Sequence, residues 1–429
     1  MKPSDGRTMG RVKRPKAGLA SVAVLVVVAS ILAAASPSRA TQPGPDPGRA
    51  TAMTTLIDDR LRDPRLGRDV ALLVIDGQSG EVISAHSPDS PMRAASNTKV
   101  VTAAIALATM GPRTRFRTSV LAGAVPGHVV LQGAGDPLLS GSDLRSLARQ
   151  TARRLPGAGP VVVHVDGDLF APPSRGPGWT RGYDRYRLAA VQALAMRGDL
   201  SARPSLNAAR LFAATLTAVG RTARVGPNED AQPGATVLAQ AEGHTVGQAV
   251  RVMLRESESN VAEVLFRQVA LASGLEGSWQ GGITAARLAL ASLGVDTTGV
   301  RLYDGSGLSR KDRLTPAFLV SLLRIVRIVQ PKRFSAMFAS NAMPVSGVSG
   351  TLTTAYGRYD TWPSRCAVGL VQAKTGTLFD TIALSGVVES ALGRRLIFSM
   401  IVNDRPMSYS KLSTRRALDG LAATMAGCW

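Results

Sequence analysis

The 429-residue sequence predicts an α/β fold in which helices pack against an antiparallel sheet, interrupted by a strand-rich insertion. Two strand patterns near the start, at 69–87, precede a helical pattern at 96–111. Three strand patterns near the end, between 371 and 403, precede a last helical pattern at about 409–426. With 45% hydrophobic and 19% charged residues, the chain has the composition of a globular protein and is long enough for two or more domains.

The first segment has the pattern of an export signal. A basic stretch precedes the charge-free apolar run 19–35, and the small residues Ser38 and Ala40 follow it. We expect residues 1–40 to be a signal peptide that is cleaved after Ala40. The alternative is an uncleaved anchor, although 17 residues is near the short limit for a spanning helix. Either interpretation places the rest of the chain on the exported side of the membrane.

The segments on either side of the insertion are predicted to form one domain. Residues 41–52 are rich in Pro and Gly and are interpreted as a linker. Strands are predicted on both sides of a Gly77–Gly80 turn, and the helix at 96–111 begins near Ser96 and ends at Gly111. The predicted domain comprises residues 53–112 and 244–429.

Residues 113–243 have a different pattern and are predicted to be an inserted accessory domain. Short apolar runs alternate there with Gly, Pro and Asp turns, and one helix is expected at 206–220. From 244 onward the pattern becomes helical, and it ends with the three strands and the last helix.

The chain is strongly basic, with a formal charge of +21 from 51 Lys and Arg and 30 Asp and Glu. Seven basic residues and one acidic residue precede position 41, so the exported part carries +15. The scattered arginines, the 4% aromatic content and the export signal argue against nucleic acid as a partner. An anionic cell envelope is the predicted partner, and the alternative is an Arg-rich composition with no specific partner.

The two cysteines, Cys366 and Cys428, are predicted to form a disulfide, as suits an exported protein. Two free buried thiols are the alternative. The four histidines, at positions 86, 128, 164 and 244, have no metal-ligand spacing, and each is expected on the surface or in a turn. The sequence therefore predicts no metal site and no cofactor.

The chemistry of the chain is indicated first by Lys99. Only eight of its 51 basic residues are lysines, and Lys99 follows Ser96 by three positions in a predicted helix. Positions i and i+3 share a helix face, so the amine can reach the Ser96 hydroxyl. A desolvated Lys can lose its proton and act as a general base, whereas Arg stays protonated. The alternative is a helix-capping Ser followed by a surface Lys.

A second scarce lysine, Lys374, begins the sequence Lys-Thr-Gly-Thr in an apolar strand pattern. Lys374 could supply a cation beside Lys99, and Gly376 allows another chain to approach the backbone closely. A substrate could pair with this strand edge. The N–H groups of Thr377 and Ser96 could form an oxyanion hole.

Ser-x-x-Lys followed by Lys-Thr-Gly resembles the signature of penicillin-binding proteins and serine β-lactamases. The segments 95–107, 133–139, 304–310, 346–352 and 373–378 are similar, in order, to the D-alanyl-D-alanine carboxypeptidase/endopeptidase family, the class C low-molecular-mass penicillin-binding proteins (serine peptidase family S13, DacB-like). The resemblance implies a transpeptidase/β-lactamase-like fold, an antiparallel sheet with helices on both faces. The family's domain is interrupted after its first motif, as predicted here for 113–243.

The family's middle motif, S-x-N, is altered in this chain. Aligned on Ala262 and Glu263, the motif falls on Ser257, Glu258 and Ser259, with Ser in the place of Asn. A shift by one position brings in Asn260 but puts Glu258 in the first position. We interpret Ser257 as the motif serine and leave the amide role to Ser259 or Asn260.

The resemblance implies that Ser96 attacks the D-alanyl-D-alanine bond of peptidoglycan stem peptides and that Lys99 takes its proton. Ser257, near Lys374, would then relay a proton to the leaving D-alanine, and Lys374, Thr375 and Thr377 would hold the terminal carboxylate. β-Lactams would acylate Ser96. A Ser-His-Asp hydrolase is disfavoured because no G-x-S-x-G lies at a strand-to-helix turn. The alternative from another class is a wall-binding homologue that lost turnover through the altered middle motif.

Overall fold

A computed structural model describes residues 47–182, 188, 190–391 and 393–429. The predicted signal peptide, residues 1–40, and the first part of the predicted linker lie outside the described residues. The helices, within the part of the chain that the structure describes, include none long and apolar enough to cross a membrane.

The described strands form a five-stranded antiparallel sheet, a second five-stranded sheet and a two-stranded ribbon. In chain order the strands are β1 Asp69–Asp76, β2 Val82–His86, β3 Arg115–Phe116, β4 Ser119–Ala122, β5 His128–Gln132, β6 Val161–Asp166, β7 Ala223–Val225, β8 Val237–Gln240, β9 His244–Thr245, β10 Val371–Thr377, β11 Ile382–Glu389 and β12 Arg395–Asn403.

The α-helices of the described residues are α1 Pro47–Leu61, α2 Thr98–Met110, α3 Gly141–Arg154, α4 Pro204–Ala218, α5 Val246–Glu256, α6 Ser259–Ala272, α7 Trp279–Ser292, α8 Pro316–Arg324, α9 Ser335–Phe338 and α10 Lys411–Ala426. A π-helical turn at Ile325–Val329 extends α8.

The antiparallel sheet, in the order β10-β11-β12-β1-β2, is buried on both faces. Side chains alternate along each strand: Leu72 and Met400 face the layer formed by α1 and α10, whereas Ile397 and Ile401 face the layer that contains α2 and α8. Burial on both faces explains why β12 has an almost continuous apolar sequence. The predicted α/β fold with helices on both faces of an antiparallel sheet is confirmed.

The helix predicted at 96–111 is split in two. A 3₁₀ turn, Ala95–Asn97, precedes α2, and Gly111 ends α2 with φ of 76°. Ser96 therefore lies on the 3₁₀ turn, two residues before the α-helix at whose start it was predicted. The two strands predicted around Gly77–Gly80 are confirmed as β1 and β2.

The second sheet, in the order β7-β6-β5-β4-β8, is built entirely from the predicted insertion. It is mixed, because β5 pairs with β6 and β6 with β7 in parallel. The prediction of one helix in this segment is wrong: α3 and α4 both pack on the sheet. The α3 helix begins with a Ser140–Asp143 capping box and has a narrow apolar face among many charged residues, which hid it from the sequence pattern. The boundaries 113 and 243 stay predictions.

The linker predicted at 41–52 is wrong in its last part, because α1 begins at Pro47. Proline is well tolerated at the first helical position, where its missing N–H has no helical partner. The predicted disulfide is confirmed: Cys366 and Cys428 are bonded, with Cα atoms 6.0 Å apart, and join the end of the chain to the segment before β10.

Candidate active site

The amine of Lys99 lies beside the hydroxyl of Ser96, as the i, i+3 spacing predicts. Its Nζ is 3.0 Å from Ser96 Oγ, 2.8 Å from the carbonyl oxygen of Ser306 and 3.3 Å from Ser259 Oγ. Lys99 is fully buried, whereas Ser96 is partly exposed. A neutral amine has two N–H donors and one lone pair, so it can donate to Ser306 and Ser259 while it accepts the Ser96 hydroxyl proton.

Lys374 is the second fully buried lysine of this group. Its Nζ donates to Ser257 Oγ and to the Thr375 carbonyl, both at 2.8 Å. Burial lowers the pKa of Lys374 well below its usual value, and the charge of Lys99 lowers it further. A lysine with this lowered pKa can exchange a proton with Ser257.

The segment 374–377 lies on β10, the edge strand of the antiparallel sheet, as predicted. A β-carbon at Gly376 would lie 2.6 Å from the Ala94 carbonyl oxygen. Glycine therefore lets the turn that carries Ser96 pack directly on the strand. The chain that approaches Gly376 in the structure is thus the protein's own 94–96 segment.

Ser257 and Ser259 come to this group from the connection between α5 and α6. Ser257 ends α5 in the left-handed conformation, with φ of 59°, and Ser259 begins α6. Ser257 thereby contacts Lys374 while Ser259 contacts Lys99. Asn260, the other candidate for the amide role, lines a second cavity together with Glu258. The hydroxyl of Ser259 is the candidate group that lies 3.3 Å from Lys99 Nζ.

The buried side chain of Glu263 holds the backbone segment that contacts Lys99. Glu263 accepts the backbone N–H groups of Gly305 and Ser306, both at 2.9 Å, and is fully buried. Burial raises the pKa of Glu263 to about 8, and the nearby Asp304 carboxylate also raises it. Because the Ser306 carbonyl accepts from Lys99, Glu263 fixes the peptide that holds the amine.

These groups open onto a cleft of about 450 Å³. Ser96, Ser257, Ser259, Thr375 and Thr377 line it, so most of the predicted site residues meet there. None of the four histidines lines the cleft. A hydroxyl nucleophile next to a buried amine, with a second lysine and a serine opposite, is an arrangement for acyl transfer.

A family model described as the D-Ala-D-Ala carboxypeptidase 3 (S13) family matches residues 53–200 and 199–425. The chain belongs to this family. The S13 enzymes are carboxypeptidases, so the hydrolase class predicted from the Ser-x-x-Lys and Lys-Thr-Gly motifs is confirmed.

Named S13-type relatives are similar over almost the whole chain. Carboxypeptidase DacB of Mycolicibacterium smegmatis is 30% identical, over 95% of this chain and 96% of the relative. The D-alanyl-D-alanine carboxypeptidase of an Actinomadura species is 28% identical, over 98% and 93%. The crystal structure of penicillin-binding protein 4 (dacB) from Haemophilus influenzae has a TM-score of 0.72 at 19% identity, over 86% of this chain and 98% of that one. The last comparison shows the same fold.

Sequence reasoning missed three side chains of this S13 site. Arg415, on α10, donates from Nε to Thr377 Oγ1 at 3.2 Å and lines the cleft. Thr351 shares a hydrogen bond of 2.7 Å with Thr375. Glu263 served only to align the middle motif. No local signal marks Arg415 among so many arginines, because its place depends on how α10 packs beside β10.

The prediction for the histidines is wrong in part. His164 is buried on β6, and its Nε2 lies 2.9 Å from Nδ1 of His128 on β5. The side chain of Glu229 joins the pair, and the three residues could hold a metal ion. The sequence separation of 36 positions between the histidines hid this contact, which parallel pairing of β5 with β6 creates.

Proposed function

We propose that this S13 enzyme is an exported serine-type D-Ala-D-Ala carboxypeptidase/endopeptidase that acts on peptidoglycan stem peptides through an acyl-Ser96 intermediate. The observation that carries the proposal is the buried Lys99 amine, 3.0 Å from the partly exposed Ser96 hydroxyl at the wall of a cleft. A lysine buried to this degree serves poorly as a surface charge and well as a base.

Acylation begins when Ser96 Oγ attacks the carbonyl carbon between the two D-alanines. The Ser96 proton moves to Lys99 Nζ, and the carbonyl oxygen becomes an oxyanion. The N–H groups of Ser96 and Thr377 stabilise that oxyanion. The Ser306 carbonyl keeps the lysine oriented while its charge changes, because it accepts an N–H from both forms of the amine.

The C–N bond breaks as a proton reaches the nitrogen of the departing D-alanine. Ser257 delivers this proton and takes another from Lys374, whose Nζ lies 2.8 Å from its hydroxyl. Water then attacks the ester at Ser96, and its proton passes through Ser257 to Lys374. Lys99 returns its proton to Ser96 Oγ, which releases the shortened peptide and restores the serine and both lysines. Ser259 fills the place of the usual amide and contacts Lys99 directly.

The substrate's terminal carboxylate binds Thr375 and Thr377 on β10 near Lys374. Arg415 adds a guanidinium to this anchor, because its Nε already donates to Thr377 Oγ1 and it lines the same cleft. A charge-assisted hydrogen bond contributes about 1.5–3 kcal/mol. Arg415→Met is therefore expected to lower kcat/KM for a D-Ala-D-Ala peptide about 10- to 150-fold. The same peptide with a C-terminal carboxamide should show no such loss, and an equal loss would contradict the carboxylate role.

The site of action follows from the N-terminal sequence. We propose that residues 1–40 direct export and that the enzyme then works outside the membrane, where its +15 charge favours the anionic envelope. Low salt should hold the protein on isolated cell walls and high salt should release it. Binding that does not change with salt would contradict the electrostatic contribution.

The deciding experiment treats the purified 41–429 protein with benzylpenicillin and measures its intact mass, with Ser96→Ala as the matched control. We expect one adduct per chain on the wild type and none on the variant, followed by D-alanine release from a D-Ala-D-Ala peptide in a separate assay. In this chain Ser259 stands where the family's middle motif has Asn. This difference favours one other candidate function, a wall-binding homologue without turnover. No adduct on folded protein, or an adduct without peptide hydrolysis, would favour that candidate.

A further inference from the structure

We propose that His128, His164 and Glu229 form a binding site for a divalent transition-metal ion, Zn²⁺ in the first instance. The histidines lie on β5 and β6 of the second sheet, Glu229 lies in the segment after β7, and none of the three lines the cleft at Ser96. One ligand atom from each residue lies within 4.8 Å of the other two. The proposal does not depend on the peptidase activity.

The hydrogen bonds of His164 indicate which of its ring nitrogens has a lone pair available for a metal ion. Its Nδ1 lies 2.8 Å from the Pro227 carbonyl oxygen, which can only accept a hydrogen bond, so Nδ1 carries the hydrogen. The lone pair is therefore on Nε2, which points at His128. A metal-binding histidine usually donates its other N–H to a carbonyl or carboxylate in this way, which fixes the ring.

The spacing of the two ring nitrogens is close to that of two ligands on one ion. His164 Nε2 and His128 Nδ1 are 2.9 Å apart. Two nitrogens bound at 2.0–2.1 Å in tetrahedral geometry are about 3.3 Å apart. The rings need to separate by only a few tenths of an ångström. His128 is partly exposed and can make that adjustment, while its displaced proton moves to its other ring nitrogen, Nε2.

The third ligand, Glu229, lies on a segment whose backbone is hydrogen-bonded to β6. Gly226 N–H donates to the Val163 carbonyl at 2.9 Å, and Glu229 N–H donates to the Val165 carbonyl at 3.1 Å. A carboxylate oxygen of Glu229 lies 3.3 Å from His164 Nδ1. Because this contact is to Nδ1, the carboxylate has to turn past the edge of the ring to join an ion on Nε2. The ligand atoms of the three residues lie within 4.8 Å of one another.

The surrounding backbone leaves space for the buried ring. A β-carbon at Gly226 would lie 2.9 Å from His164 Cε1, so a glycine is needed where the segment crosses the imidazole. His164 itself is 3% exposed. Burial of this ring removes one nitrogen from water and makes a partner for its lone pair necessary.

Two imidazoles and one carboxylate are the ligand set of three-ligand zinc sites, whose fourth position is taken by water. Imidazole ligands also suit Cu²⁺ and Ni²⁺, whereas Mg²⁺ and Ca²⁺ prefer oxygen ligands. The ion would connect β5, β6 and the segment after β7, which are distant in sequence. Its expected role is to stabilise the second sheet.

The test titrates the metal-free 41–429 protein with ZnCl₂ by isothermal calorimetry and native mass spectrometry. We expect one Zn²⁺ per chain. His164→Asn and His128→Asn should each weaken binding at least about 100-fold, and Glu229→Gln about 10-fold. His86→Asn is the matched control, because His86 lies on β2 of the other sheet. Absence of stoichiometric binding by the wild type would overturn the proposal.

Two further readouts separate a metal site from a histidine pair that shares only a proton. Co²⁺ in place of Zn²⁺ should give the strong visible absorption of a four-coordinate ion, and His128→Asn should abolish it. Zn²⁺ should also raise the Tm of the wild type and of His86→Asn but not that of His128→Asn. Because His128 is partly exposed, this variant is expected to fold. Binding that survives in both histidine variants would assign the ion to another place and contradict the proposal.

Discussion

Replacing Lys99 by Met tests the assignment of the general base directly. The substitution keeps the length of the side chain but removes the amine, which contacts Ser96, Ser259 and Ser306. Proton transfer by a positioned base contributes typically 10²–10⁴ to a rate. Each factor of ten is 1.36 kcal/mol, so the barrier to acylation should rise by about 2.7–5.4 kcal/mol.

Stability should respond much less than acylation. The variant leaves the buried Ser306 carbonyl without its Lys99 donor, which costs about 1–3 kcal/mol. It also removes the cost of burying an amine that is completely shielded from water, which offsets that loss. We expect the free energy of unfolding of Lys99→Met to stay within about 2 kcal/mol of the wild type.

The assay follows acylation by a fluorescent penicillin in stopped flow, beside urea unfolding of the same proteins. Lys332→Met is the control, because Lys332 is exposed and outside the cleft. Lys99→Arg should also fail to acylate, since a guanidinium keeps its proton. Acylation of Lys99→Met within tenfold of the wild type would refute the base assignment. A large loss of stability at unchanged acylation would make Lys99 structural.

Three further predictions concern stability. Replacing Cys366 and Cys428 by Ser opens a loop with a sequence separation of 62 residues, and chain entropy gives a loss of about 4 kcal/mol; an unchanged urea midpoint would contradict it. Arg358 and Asp419 form a fully buried ion pair, so Arg358→Met should cost about 3–5 kcal/mol, and the double variant with Asp419→Leu should recover part of it. The lowered pKa of Lys374 means that the folded state gives up this proton more readily than the unfolded state, so this group's stabilisation is present above pH 10.5 and is lost as the pH falls towards the lowered pKa. The stability of Lys374→Met relative to the wild type should therefore increase as the pH falls from 10.5, and a constant difference would exclude the shift.

The predictable parts of the site are those in which the chemistry depends on local spacing. Ser96 and Lys99 are three residues apart, so a helical turn brings them together wherever the helix packs. The apolar pattern around Lys374 likewise predicted a strand, which the structure provides as β10 at the edge of the sheet. The exact start of the helix was missed by two residues, since a 3₁₀ turn before α2 carries the nucleophile.

The unpredictable parts depend on contacts between distant segments. The sequence left Ser259 and Asn260 as alternatives for the amide role, and no local pattern indicated that α6 places the Ser259 hydroxyl 3.3 Å from Lys99. Arg415 reaches the site only because α10 packs beside β10. Among many scattered arginines, no periodicity distinguishes such a residue.

The sequence by itself indicated the family and predicted the nucleophile, its base and the disulfide, because residue types at fixed local spacings and a pair of cysteines constrain them. The tertiary structure decided which serine contacts Lys99 beside Ser96, which arginine contacts Thr377 in the cleft, and that two distant histidines meet on a parallel strand pair. The physical reason is the sequence separation of the residues in contact. Helical and strand periodicity fix neighbours within a turn. Contacts between residues that are 36 or 160 positions apart, such as His128 with His164 and Lys99 with Ser259, are set by the packing of the whole core.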